Sequence, residues 1–563
     1  MELLEKHFDI AFAAPDGIKR LRELILTLAM QGKLVPQYPN DQPASELLKE
    51  IETEKKRLVK AGKIKEPKRL PAIKDEEVPY VLPQGWEWVR LGEISNYNGR
   101  KNVAPEEIHP DTWLLDLEDI EKDTSRLIYR AKYCERQSKS TKSTFEKGDV
   151  LYGKLRPYLN KVIVADKQGV CTTEIVPIVP LGNIDSQFLK WLLKRPSFLN
   201  HVNALMYGVK MPRLGTDDAI NSVHPLPPLA EQCRIVAKID QLMVRCDELE
   251  KLRAEREQKR LNVHTAALNS LLLAEKNDSF TDAWQLITLH FGELYSVREN
   301  VAELRKAILQ LAVMGRLVPQ DQNDSPASEL LKEIEAEKQR LVKAKKIKIP
   351  KPIPTISREG EPFQVPDNWR WVRIAEVTES IDYGTSQKTC DDASLVPVFR
   401  MGNIVNGQLI DEGFKYISPS IDELPRLYLQ PNDILFNRTN SYDLVGKTAC
   451  YSGPAKYATF ASYLIRIRLL DALLNPIFIT LAMNAPYFRK TQVEPEIVQQ
   501  CGQANFNGSK LALCLIPLPP LREQQRIVAR INELMAMCDE LDRQITAASD
   551  KQASLLNAII AQV

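Results

Sequence analysis

Apolar positions along this chain follow two rhythms, and the rhythm switches at matching places in each half. Ile18, Leu21, Ile25 and Leu28 step by three and four, and Gly32 stands where a C-terminal cap belongs, so the spacing predicts a helix. From Pro43 to about Ala61, Leu47, Leu48, Ile51 and Leu58 form one stripe among charges, which predicts a second helix. The same passage returns as residues 326–344, PASELLKEIEAEKQRLVKA against PASELLKEIETEKKRLVKA, differing only where Ala336 faces Thr53 and Gln339 faces Lys56. In the second copy Ser325 is a good N-cap ahead of Pro326 at the first helical position.

The repetition extends outward in one register. LRELILTLAMQGKLVPQ from Leu21 returns from Leu304, and GWEWVRLGEI from Gly85 returns as NWRWVRIAEV from Asn368. A second pair of passages, PLPPLAEQCRIVAKIDQLMVRCDELE from Pro225 and PLPPLREQQRIVARINELMAMCDELD from Pro517, is spaced nine residues wider than the first. The frame is duplicated, while the material inside it was free to change length.

Between the landmarks the pattern changes to short apolar runs broken by Gly, Asn and Asp, which suits mixed sheet and helix. VLYG from Val150 and ILFN from Ile434 read as strands in corresponding places. After each such region, Ile235, Ile239, Leu242, Cys246 and Leu249, and likewise Ile527, Ile531, Leu534, Cys538, Leu541 and Ile545, step by four and three as a coiled-coil seam. If these helices run on to Leu273 and Ile560 they reach about 60 Å. A dimerisation hairpin is one reading; the favoured one packs the two helices on each other to hold the variable domains apart.

The predicted organisation is a helical arm at 1–62, a Pro/Lys-rich extended linker at 63–85, a mixed domain at 86–224 and a long spacer helix at 225–275. A central helical arm follows at 276–346, then a Pro-rich linker at 347–367, a second mixed domain at 368–516 and a second spacer helix at 517–563. The fold class is α+β: two mixed α/β domains separated by long antiparallel coiled-coil helices, in a pseudo-twofold internal repeat. Such a repeat brings the termini together.

A chain of 563 residues needs several cores, in line with this division. Its net charge of +2 argues neither for nor against a polyanionic partner, so any DNA-binding face must come from local arrangement. Nine cysteines without a CxxC pair fit a reduced cytoplasmic protein better than a disulfide framework or a structural zinc site. No apolar run reaches the roughly 18 residues of a membrane span, and the acidic start MELLEKHFDIAFAAPDG is no signal peptide.

Enzyme chemistry finds little footing. NAPYF at Asn484 has Ala485 where an adenine methyltransferase motif needs proline, and no glycine-rich donor turn accompanies it. Glu54-Lys55-Lys56 mimics a nuclease Glu-x-Lys on a solvated helix face, but its copy ends in Gln339. The six histidines lack ligand spacing and there is no phosphate loop, so no metal or cofactor is expected in this chain.

The candidate chemistry lies in the variable domains. GDVLYGKLRPYLNK delivers Lys154, Arg156, Tyr158, Asn160 and Lys161 into a loop; NDILFNRTNSYDLVGK delivers Arg438, Asn440, Ser441, Tyr442 and Lys447 into its counterpart. Cations neutralise phosphates, while Arg and Asn or Gln can read guanine and adenine edges. Solvated surface charge is the bland alternative for each alone. Lys210 and Arg213, Lys388, Arg400 and Asn403, and Gln503 and Asn505 are weaker candidates.

With two PLPPLxEQ passages, two long helices and these KLRPYLNK and RTNS…LVGK stretches, the chain resembles the DNA-specificity subunits of type I restriction-modification systems over nearly its full length. The resemblance implies two target-recognition domains, double-stranded DNA as ligand, and two modification (methyltransferase) subunits as partners. It also implies restriction subunits that translocate and cut DNA; S-adenosylmethionine, ATP and Mg would belong to those partners. A self-contained restriction enzyme, or a helical scaffold without DNA specificity, is the competing class.

Overall fold

The computed structural model describes residues 13–561 except 65, 67–68, 137–138, 207–210, 275–276, 350–351, 471 and 501. By contacts the chain separates into two units, Met1–Arg256 with Ala548–Val563, and Glu257–Ala547.

In the first unit the two predicted arm helices are α1 (Gly17–Met30) and α2 (Ala44–Lys60). Strand β1 (Glu87–Arg90) pairs antiparallel with β6 (Val223–Leu226), closing the domain at its base. Between them β2 (Ser95–Tyr97), β3 (Val150–Gly153), β4 (Val162–Val164) and β5 (Ile175–Pro180) form a sheet in the order β2-β5-β3-β4. Helix α3 (Ser186–Lys194) packs on it, and α4 (Leu229–Leu273) leaves the domain.

The second unit repeats this plan with different residues. Its arm is α5 (Arg298–Val313) and α6 (Ala327–Lys343); β7 (Arg370–Arg373) pairs with β12 (Leu515–Leu518). Strands β8 (Thr378–Tyr383), β9 (Ile434–Asn437), β10 (Thr448–Cys450) and β11 (Leu464–Leu469) take the order β8-β11-β9-β10, the same as in the first unit. Helices α7 (Pro476–Asn484) and α8 (Leu521–Ala561) correspond to α3 and α4. A further sheet has five strands in the first domain and only three in the second, although both keep one parallel pair, 113–115 with 169–171 and 396–399 with 459–460. That is where the contents of the frame diverged.

The duplicated motifs are the joints of this frame. Indole Nε1 of Trp86 donates to Glu231 at 2.9 Å, and that of Trp369 donates to Glu523 at 2.9 Å, both inside the protein. These carboxylates are the Glu of each PLPPLxEQ passage. The following Gln232 and Gln524 donate to the carbonyls of Pro227 and Pro519, and accept from the backbone N–H of Asp185 and Asn475, where α3 and α7 begin. Arg22 bridges Asp247 and Glu250 as Arg305 bridges Asp539 and Asp542, and Arg234 pairs with Asp41 as Arg526 pairs with Asp324. Arm, domain and long helix are therefore tied three ways in each unit.

The described parts of the linkers are held by the domains: Arg90, buried, donates to the carbonyls of Pro71 and Ala72 and pairs with Glu77, and Arg373 donates to Pro354 in the same way. Gly32 and Gly315, at φ of +70° and +71°, lie where a β-carbon would collide with linker prolines Pro83 and Pro366. Helices α2 and α6 start one residue after the prolines, and their first N–H groups donate to the carbonyls of Gly85 and Asn368, which replaces capping by Ser325.

The seam residues are mostly interior. Ile235, Ile239 and Cys246 belong to the first unit's core with Leu242 against it; Ile527, Ile531 and Cys538 belong to the second's, with Leu534, Leu541 and Ile545 against it. Leu249 is the correction: it is 41% exposed, because past Cys246 helix α4 has left that core. Farther along, Leu268 and Leu271 of the same helix join the second unit's core, and Leu556 and Ile559 of α8 pack on Ala14 and Leu24 in the first. Helix α1 and the last turns of α8 thus pack together within one unit.

Candidate nucleic-acid interface

The two strongest loops occupy the same place in the two domains. Each leaves the third strand of the four-stranded sheet, β3 or β9, makes one 3-10 turn, Pro157–Leu159 or Tyr442–Leu444, and returns as β4 or β10. Each turn presents a tyrosine to solvent, Tyr158 at 40% and Tyr442 at 38% exposure. Such rings can stack on a base or sugar while neighbouring cations meet phosphates.

In the first domain Arg156 is exposed in the left-handed region, with its N–H donated to the Pro212 carbonyl at 2.7 Å. Leu155 bridges Arg213, so the Arg213 passage is brought against the loop. Arg213 itself is bidentate to Glu174, at 3.0 and 2.8 Å, and its hydrogen bonds hold the Glu174 carboxyl below its ordinary range. That is a correction: the charge of Arg213 is already matched, since Glu174 ends the loop leading into β5. Lys161 is corrected likewise, for its ammonium donates to the Leu117 carbonyl at 2.7 Å and burial pushes its pKa down. Lys154 and Asn160 are half-buried beside the exposed Arg156, and Lys210 lies outside the described residues.

In the second domain Asn440 joins Gln503 and Asn505 on one small sheet, because 439–440 pairs antiparallel with 503–505. Gln503 is exposed; the Asn505 carbonyl oxygen accepts from Thr439 at 2.7 Å, and that of Asn440 accepts from the Ser441 N–H at 2.8 Å, turning the exposed Ser441 outward. Arg438 is half-buried, donating to the carbonyls of Phe506 and Ser462 with its guanidinium 5.1 Å from the centre of the Tyr383 ring. Its guanidinium therefore braces the ribbon from within the loop. Asn403 is also corrected: it is buried, accepting from Arg400 N–H and donating to the Ile410 and Glu412 carbonyls. Its short amide serves the turn's own backbone.

Lys388 and Arg400 are exposed and Lys447 is half-exposed. With Arg156, these side chains have no hydrogen-bond or ion-pair partner among the described residues, so their charge is available to a polyanion. Sequence reasoning passed over Tyr383 and Tyr463, 43% and 44% exposed and both in contact with Arg438, because lone tyrosines carry no spacing signal. It also passed over Lys194, and met Asn484 only as the start of NAPYF; these residues end α3 and α7 beneath the two loops. No group of His, Cys, Asp and Glu among the described residues has the arrangement of a metal site, and no described helix is long and apolar enough to cross a membrane.

The family model for the type I restriction modification DNA specificity domain matches residues 366–548. The chain is 34% identical over 558 residues to the type I restriction enzyme EcoAI specificity subunit of Escherichia coli, spanning 96% of this chain and 93% of that one. It is 32% identical over 559 residues to the EcoEI specificity subunit of the same organism, with the same coverage. A chain solved in a study of complex assembly and conformational transition of a type I R-M system shares the fold, with a TM-score of 0.52 and 21% identity over 86% of this chain and 98% of that one.

Proposed function

Since the chain belongs to the type I restriction enzyme specificity subunits, whose task is DNA sequence recognition, we propose that its two variable domains each read one part of a bipartite, asymmetric target. The observation that carries this reading is the shared strand order with unlike loops. Arg156 and Tyr158 stand where the other domain has Asn440, Ser441, Tyr442 and Lys447. Two copies of one scaffold with different polar tips suit two different sequences.

Double-stranded DNA is held by this chain, while two modification subunits methylate adenine and restriction subunits translocate and cut. The S-adenosylmethionine, ATP and Mg chemistry belongs to those partners, and this chain is a non-catalytic reader in the cytoplasm. Arg156, Lys388, Arg400 and Lys447 supply phosphate contacts; Asn440 and Gln503 supply base contacts.

The test is binding by the complex assembled with its modification subunits. Alanine at Arg156, Lys388, Arg400 and Lys447 together should weaken binding to every sequence and flatten its salt dependence, by a slope of up to about 0.9 per lost phosphate contact. Alanine at Gln503 should cost about 1–3 kcal/mol at one base pair of one half-site only. Unchanged binding in both would place the reading surface elsewhere.

A further inference from the structure

Helices α3 and α7 are built alike. Asp185 accepts from the N–H groups of Gln187 and Phe188, and Asn475 from those of Ile477 and Phe478, so both helices are capped at the end gripped by the PLPPLxEQ glutamine. Nine residues later they end in Lys194 and Asn484. One is a cation and the other a neutral amide, but they do corresponding work.

Lys194 is 4% exposed, and its ammonium donates to the Asp123 carbonyl at 2.7 Å, the Ser125 hydroxyl at 2.5 Å and the Asn160 carbonyl at 3.1 Å. Asn160 ends the first reading loop, and Ser125 also donates to its carbonyl and accepts from the N–H of Val162, the first residue of β4. Asp123, Ser125 and Asn160 all have positive φ, a conformation that non-glycine residues hold only when surroundings over-determine it. One buried ammonium thus fastens two strained turns to each other. Asn484 grips the other loop at the equivalent point: its amide donates to the Thr448 carbonyl at 2.8 Å and accepts from the Thr448 N–H at 3.1 Å, where β10 begins.

We propose that Lys194 and Asn484 are positioning residues, each setting the geometry of its own domain's reading loop and hence base discrimination at one half-site alone. Neither touches DNA. The proposal rests on the bipartite reading above, and it adds that discrimination is tuned from behind each loop.

Burial above all, with Lys190 adding to it and Asp123 partly opposing it, takes the Lys194 ammonium down to about 7, so the comparison is made at about pH 6, where the ammonium keeps its protons. The assembled complex, as wild type, Lys194→Met, Ser125→Ala and Asn484→Leu, is titrated with the target duplex and with duplexes carrying one substituted base pair in either half-site. Lys194→Met should lower discrimination at the first half-site by roughly tenfold and leave the second within about twofold; Asn484→Leu should do the reverse. Ser125→Ala removes one acceptor without emptying the site and should act as Lys194→Met does, more weakly; it decides the matter if Lys194→Met does not assemble. Equal loss at both half-sites, or unaltered discrimination, overturns the proposal. A wild-type complex that discriminates at neither half-site instead defeats the bipartite reading itself.

Discussion

Replacing Trp369 by phenylalanine tests the joint that the frame depends on. The indole is 1% exposed and Glu523 is fully buried, with the Trp369 N–H on one carboxylate oxygen at 2.9 Å and the Gln320 amide on the other at 2.6 Å. Phenylalanine keeps most of the ring but removes the donor, so one oxygen of a buried carboxylate loses its partner. A hydrogen bond to a charged group contributes about 1.5–3 kcal/mol, and the smaller ring leaves a gap that adds about 1 kcal/mol. The expected cost is about 3 kcal/mol, or a fall of roughly 6–12 °C in Tm for the unit's transition.

The pH dependence has a definite sign. Burial raises the Glu523 pKa above 4.5 and the Trp369 donor partly lowers it. A raised folded-state pKa gives stability that is complete below the unfolded value and is lost as pH rises through the folded one. Removing the donor raises the folded pKa further, so the cost of Trp369→Phe should be small near pH 4 and grow toward pH 7. Chemical denaturation of wild type, Trp369→Phe, Glu523→Gln and the double variant at both pH values gives the coupling energy directly. A coupling below about 0.5 kcal/mol at pH 7, or one that shrinks as pH rises, would refute the reasoning.

Other outcomes follow from the same frame. Arg90→Met should release residues 71–77 from the domain and raise their cleavage rate in limited proteolysis severalfold, since the guanidinium holds the Pro71 and Ala72 carbonyls and pairs with Glu77. Inserting one helical turn into both α4 and α8, after Leu249 and after Leu541, should widen the unread gap in the DNA target by about one or two base pairs, because a turn adds about 5.4 Å; methylation mapping would reveal it. The purified chain incubated with labelled S-adenosylmethionine and target DNA should transfer no methyl group, and incorporation without partner subunits would contradict the proposal that it is a non-catalytic reader.

What the sequence disclosed was periodic, and what it hid depended on remote partners. The duplication was legible in near-identical passages, the mixed domains in short apolar runs broken by Gly, Asn and Asp, and the arms and long helices in the repeated spacing of apolar residues. Leu249 continues that spacing yet lies in solvent, since period alone does not say where a helix leaves its core. Polar candidates fared less evenly for a related reason. Lys161, Arg213 and Arg438 stand in the right loops, but their partners Leu117, Glu174 and Phe506 lie 44, 39 and 68 residues away, so nothing local marked them as bracing groups. The glutamate and glutamine of PLPPLxEQ were visible as a motif without visible work, and their work is to hold Trp86, Trp369 and the starts of α3 and α7.

The most direct test of the bipartite reading is to map modified adenines across the genome of a host that carries this chain with its modification subunits and lacks other adenine methylation. The expected result is one motif of two unlike specified parts separated by a fixed unread gap, with a methylated adenine in each part, and loss of specificity in only one part when the loop of one domain is altered. A single continuous motif, or a motif whose two parts change together when only one domain's loop is altered, would contradict it.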